Sequence, residues 1–147
     1  MDETTQTPGE ETSVAEGSTS VASKKVLAVE DDLFLKELLA GKLSDDEFNV
    51  FYASNGDEAL SLAATELPDV ILLDILLPGM SGYEVLEKLK ADENTKNIPV
   101  IILSNFGQPE DIEKGKALGA VDFLVKANNS LDAIVSRVRE IATSPQA

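Results

Sequence analysis

The sequence predicts an α/β protein: a doubly wound (βα)5 unit around a parallel five-stranded sheet. Three observations predict it. Five short apolar runs recur along the chain, each near-continuous rather than alternating, as strands covered on both faces require. Between successive runs lie segments whose apolar residues follow helical spacing. The punctuation between them is turn chemistry, with Pro, Gly, Asn and Ser at the junctions. A chain of 147 residues is one domain on size alone. A domain that long buries about two-thirds of the surface its unfolded chain exposes, so it needs no disulfide or metal to fold.

The elements follow in order. Val26-Leu27-Ala28-Val29 is a short buried strand that runs into Glu30-Asp31-Asp32. Leu33 to Leu43 carries Leu35, Leu38, Leu39 and Leu43 near helical spacing, and Asp32 suits its N-cap. Asn49 to Ala53 is the second strand, Asn55-Gly56 a turn, and Asp57 a cap for the helix through Leu60 and Ala64 that stops at Pro68-Asp69. Val70-Ile71-Leu72-Leu73 is the third strand and delivers Asp74. Pro78-Gly79 breaks the chain, and Ser81 caps a helix whose Val85, Leu86 and Leu89 share a face. Pro99 opens the fourth strand, Val100 to Leu103, closed by Ser104-Asn105. A helix over about 109–118 stops at Gly119. Val121 to Val125 is the fifth strand, ending at Lys126. Asn129 or Ser130 caps a last helix that buries Leu131, Ile134, Val135, Val138 and Ile141. Right-handed crossovers leave few ways to wind such units. The flavodoxin-like order 2-1-3-4-5 is applied here as the known pattern for them.

Composition removes several kinds of chemistry. There is no cysteine and no histidine, so thiol nucleophiles, disulfides, Ser–His triads and His or Cys metal sites are out. A net charge of −15 argues against nucleic-acid binding and against an anionic membrane surface. The N-terminus has no basic start followed by an apolar block, and no run reaches the length of a membrane span, so the reading is cytoplasmic. Residues 1–23 hold no Lys or Arg and only Val14 and Val21 as sizeable apolar residues. They read as a flexible acidic tail, with a tag remnant as the alternative for part of it. Residues 143–147 read as a frayed end, leaving 24–142 as the folded part.

In an open parallel sheet, ligands bind outside the carboxyl ends of the strands. Those ends carry Glu30-Asp31-Asp32, Asp74, Ser104 and Lys126. Carboxylates gathered there repel. At an effective dielectric of 20, a pair about 4–5 Å apart costs roughly 3–4 kcal/mol. Either a pKa rises or a cation binds. Oxygen donors without His or Cys suit a hard cation, and Mg²⁺ fits two or three carboxylates plus waters. Taken singly, each residue has a plain role: Asp74 in a turn, Asp32 as a helix cap, Ser104 at a strand end, Lys126 on a solvated surface. It is their joint position at strand C-termini that points to chemistry.

In order and spacing these residues resemble the receiver family of response regulators. The resemblance rests on Glu30-Asp31, on Asp74 with Pro78 four residues later, on Ser104, on Lys126, and on the approach Gly119-Ala120-Val121-Asp122-Phe123-Leu124-Val125. It spans about residues 25–142. It implies that Asp74 accepts a phosphoryl group from a sensor histidine kinase or phosphotransfer protein. It implies Mg²⁺ held by Glu30, Asp31, Asp74 and the backbone carbonyl of Leu76. Lys126 would pair with Asp74 and then with a phosphoryl oxygen, and Ser104 would donate to that group. Phe123 stands where the family keeps a switch aromatic, and is equally a core residue of its strand. Output would pass to a protein target, or to a second copy in a homodimer, through helix four, strand five and helix five around Gln108–Leu118, Phe123 and Asn129–Arg139. The domain is expected to stand alone and to act as a switch rather than as an enzyme.

Three positions depart from the commonest family pattern. Ala127 follows Lys126 where proline is usual, and a trans peptide is expected because cis costs about 2.5–4 kcal/mol without proline. Asn105 replaces a small residue after Ser104. Leu76 and Phe106, two residues beyond Asp74 and Ser104, flank the expected path of the hydrolytic water and offer it no hydrogen bond. Leu33 and Phe34 are expected to pack the first helix, and Asp45-Asp46-Glu47 and Asp92-Glu93 to be solvated helix ends.

Three rival functions are weaker. An unphosphorylated receiver-like binding module would more often lack the acids, the acceptor or the lysine. A flavin carrier needs a phosphate-cradling loop after the first strand, where three acids stand. An aspartyl phosphatase typically has a second acid two residues after its nucleophile, where this chain has Leu76.

Overall fold

The computed structural model describes residues 24–46 and 48–144. The acidic tail 1–23, the final residues 145–147 and Glu47 lie outside the described residues. Five strands alternate with five helices: β1 Lys25–Val29, α1 Leu33–Asp45, β2 Asn49–Ala53, α2 Gly56–Glu66, β3 Val70–Leu73, α3 Gly82–Ala91, β4 Val100–Ser104, α4 Pro109–Ala117, β5 Asp122–Val125 and α5 Leu131–Thr143. A short 3₁₀ turn, Lys126–Asn128, joins β5 to α5. The strands are all parallel and lie in the order β2-β1-β3-β4-β5, the doubly wound flavodoxin-like arrangement.

Successive residues of a strand face opposite sides of the sheet, so each apolar run feeds two cores. Leu27, Val29, Ile71, Leu73, Val100, Ile102 and Phe123 pack with Ala59, Ala63, Val85, Leu86 and Leu89 on one face. Val26, Val70, Leu72, Ile101 and Leu103 pack with Leu39, Leu43, Ile134, Val135 and Val138 on the other. Burial also follows position in the sheet. The inner strands β3 and β4 are buried throughout, whereas the edge strands β2 and β5 are only partly so.

The caps are local chemistry. Asp32 accepts from the amides of Phe34 and Leu35, Ser81 from Glu84, and Ser130 from Ala133. For α2 the cap is Asn55, which accepts from Glu58; Asp57 already lies inside the helix. That helix ends before Pro68, with Leu67 left-handed at φ 47°. Gly119, at φ 111°, supplies the turn after α4.

Three expectations are corrected. Leu33 and Phe34 are 61% and 73% exposed, and Leu38 is 42% exposed. Helix α1 buries Leu39 and Leu43 and leaves Leu33 and Phe34 of its first turn exposed. Asp46 is not simply solvated, because it accepts from Nη2 of Arg139 on α5. With Lys42 donating to Asp132 at 2.6 Å, that pair ties α1 to α5 at two points. Thr143, placed in the frayed end by sequence, is the last residue of α5, and its Oγ1 donates to the Arg139 carbonyl.

Candidate functional site

Parallel pairing brings the expected residues together, because equivalent positions on neighbouring strands end side by side. The amide of Glu30 donates to the Ala53 carbonyl and that of Asp74 to the Val29 carbonyl, so both acids leave the sheet at its rim. Glu30 is 2% exposed and Asp74 6%, whereas Asp31 is exposed. One carboxylate oxygen from each of the three lies within 4.8 Å of the others. Register pairs Ser104 with Val125, which sets Lys126 next to that cluster.

Lys126 reaches both buried acids. Its Nζ donates to Asp74 Oδ2 at 3.2 Å and lies 3.0 Å from Glu30 Oε1. The second contact is an ion pair lacking hydrogen-bond geometry, since Oε1 is buried without a hydrogen-bond partner. Glu30 Oε2 accepts from the Asp32 amide at 3.1 Å, and Asp74 Oδ1 from the Leu76 amide at 3.3 Å. Sequence reading assigned Lys126 only to Asp74. Its pairing with Glu30 depends on the β1–β3 neighbourhood, which no local pattern displays.

One cation among three carboxylates leaves charge uncompensated. The Glu30 carboxyl is pushed up to about 7; burial is the largest cause, opposed by Lys126 and reinforced by the charge of Asp74. Burial pulls the Lys126 ammonium down, but Glu30 and Asp74 outweigh it and hold the lysine above its ordinary range. A buried Glu30 oxygen met only by the Lys126 ammonium, three clustered carboxylates and an all-oxygen donor set fit a hard divalent cation such as Mg²⁺.

The other expected residues are placed as follows. Ser104 is 1% exposed, and its Oγ accepts from the Phe106 amide at 2.9 Å. Asn105 is exposed, and Leu76 and Phe106 present 58% and 45% of their surface. Phe123 is 8% exposed and belongs to the core under α4. Among the described residues no peptide bond is cis, so Lys126–Ala127 is trans. One contributor escaped the sequence reading. A Cβ on Gly82 would stand 2.2 Å from the Asp74 carbonyl oxygen, and the Gly82 amide donates to the Ile75 carbonyl at 2.7 Å. Only glycine lets α3 start so close behind the acid. The visible signal was a glycine directly after the Ser81 cap.

The sequence profile described as response regulator receiver domain matches residues 26–139. This chain belongs to the response regulator receiver family. Over 119 residues, 81% of this receiver, it is 39% identical to response regulator PleD of Caulobacter vibrioides. It is 36% identical to sporulation initiation phosphotransferase F of Bacillus subtilis over 104 residues, 71% of this chain and 82% of that one. The receiver spans only 26% of PleD, so it corresponds to one part of that protein. In structure it resembles chemotaxis protein CheY4 of Vibrio cholerae, with a TM-score of 0.76 at 31% identity, covering 82% of this chain and 99% of that one.

Proposed function

We propose that this receiver is a Mg²⁺-dependent phosphoacceptor that takes its phosphoryl group on Asp74. The observation that carries the proposal is Asp74 at the rim of β3, 3.2 Å from Lys126 and within a cluster of three carboxylates. Glu30, Asp31, Asp74 and the Leu76 carbonyl would hold Mg²⁺. When bound, that ion would neutralise charge on the carboxylates and on the transferring oxygens.

The donor is a phosphohistidine on a sensor histidine kinase or phosphotransfer protein, since the chain has no histidine of its own. One Asp74 carboxylate oxygen attacks phosphorus. The new P–O bond forms as the P–N bond breaks, and the departing imidazole nitrogen keeps the electron pair and takes up a proton. Lys126 neutralises the oxygen of Asp74 that does not attack and can pass to a phosphoryl oxygen. Ser104, one strand over, would donate its hydroxyl to the same group and draw the loop after β4 inward, with Phe123 as the aromatic that responds. The signal would leave through α4, β5 and α5, to a protein target or a second copy. We read the domain as a switch that assists its own phosphorylation and dephosphorylation, and place it in the cytoplasm. Among the described residues no helix is long and apolar enough to cross a membrane.

The test is intact mass after incubation with acetyl phosphate, with and without Mg²⁺, for wild type and Asp74→Ala. The expected result is a gain of one phosphoryl group that needs both Mg²⁺ and Asp74. If neither acetyl phosphate nor a histidine kinase modifies the wild type, the chain is an unphosphorylated binding module.

A further inference from the structure

Lys126 must be aimed, and the turn that carries it has little stiffness of its own. It leaves β5, an edge strand, and enters the 3₁₀ turn Lys126–Asn128. Ala127 and Asn128 are exposed. Neither is a proline that would fix φ. Yet the Lys126 side chain is only 15% exposed and serves two acids at once.

Three contacts fix the residue just before it. Val125 pairs in register with Ser104. Gly107, in the loop after β4, lies so close that a Cβ there would stand 2.8 Å from Val125 Cγ2. On the far side, the half-buried Asn129 turns back, and its Nδ2 donates to the Val125 carbonyl at 2.9 Å. The Asn129 amide closes the same turn with a long contact of 3.5 Å to the Lys126 carbonyl. The helix cap is left to Ser130, so the Asn129 side chain is not used for capping α5.

We propose that Asn129 is a positioning residue for Lys126: its side-chain amide holds the Val125 carbonyl and so fixes the turn that aims the ammonium group at Asp74 and Glu30. The inference deepens the phosphoacceptor reading and rests on it for its functional meaning, but the placement of Lys126 is measurable without phosphorylation. Asn129→Ala removes the donor. Asn129→Asp keeps the shape but presents only acceptors to a carbonyl.

The first measurement is made on metal-free protein, by following the ¹⁵N–¹H signal of the Lys126 ammonium, which is sharp only while ion pairs slow its proton exchange. We expect a resolved signal in wild type that broadens beyond detection in both variants, while amide signals of β1 and β3 stay in place. An unchanged signal in Asn129→Ala overturns the proposal. The second measurement is the rate of Asp74 modification by acetyl phosphate at saturating Mg²⁺. Loss of the tie is expected to slow it roughly five- to tenfold, the scale of a modest misplacement of a charged group. In a Lys126→Met background the same substitution should have no further effect. A full additive loss there would mean that Asn129 acts on the fold in general, and would also overturn the proposal. If wild type accepts no phosphoryl group, the phosphoacceptor reading fails, and the ammonium signal alone decides the role of Asn129.

Discussion

Glu30 shows most directly what burial does to this site. Its carboxyl has an ordinary value of 4.5 and is pushed up to about 7. The folded state therefore keeps a proton that the unfolded chain releases near 4.5. Between those values folding binds the extra proton, so stability falls as pH rises, and the whole penalty is present above about 7. In metal-free protein, Glu30→Gln should gain on wild type across that window by an amount on the order of 3 kcal/mol. Chemical denaturation at a series of pH values measures it; a difference that stays flat from acid to neutral would refute the shift. The phosphoryl group proposed for Asp74 brings in Leu76. Its side chain, like that of Phe106, is apolar and exposed and can offer a water no hydrogen bond. Leu76→Asn should shorten the lifetime of phosphorylated Asp74, and following mass decay after removal of the donor would show it. A rate equal to or below wild type would count against this role.

At the scale of elements, α4 is held by contacts from α3, β4 and β5. Tyr83 on α3 donates its hydroxyl to the Asp111 carbonyl at 3.1 Å, and Lys114 places its Nζ 4.4 Å from the centre of the same ring. Gly115 lies against Ile102 and Phe123, where a Cβ would come within 2.6 Å of Ile102 Cδ1. Tyr83→Phe deletes the hydroxyl but keeps the ring and its cation contact. It should cost about 1 kcal/mol, with amide exchange quickening in α4 and unchanged in α1. Uniform quickening in every helix would mean that the contact supports the whole fold instead. The caps at Asp32, Asn55, Ser81 and Ser130 work within their own helices, so each was open to sequence reading: Asp32 and Ser81 were assigned, and Ser130 was left open against Asn129. The Asn55 cap was assigned to Asp57 because both side chains can cap, and only the backbone path chose between them.

At the scale of the whole molecule, charge sets the expected response to cations. With a net charge of −15 and three acids gathered at one rim, the fold carries self-repulsion that a divalent ion at the rim would relieve. Mg²⁺ at a hundredfold excess over its dissociation constant should stabilise the native state by about 2.7 kcal/mol. The midpoint of thermal unfolding should rise by several degrees in wild type and much less in Asp31→Asn. An equal rise in both would assign the effect to general screening. Affinity should also climb as pH passes about 7, because Glu30 must give up its proton to bind the ion.

Sequence by itself determined the strand and helix content, the chain order of the five units and the identities of Glu30, Asp31, Asp74, Ser104 and Lys126 as the rim residues. Those features are written in local periodicity and turn chemistry, which act over a few neighbouring residues. Tertiary structure alone decided that Lys126 serves Glu30 as well as Asp74, that Gly82 makes room behind Asp74, and that Asn129 turns back on Val125. Each depends on a distance between segments brought together by sheet pairing or by the path of a turn. The exposure of Leu33 and Phe34 belongs with them. Apolar residues at the start of a helix read as packing, but the angle at which α1 meets the sheet leaves them facing outward. No local pattern in the sequence carries that angle, because it is set by how the Leu39 and Leu43 side chains seat against β1 and α5.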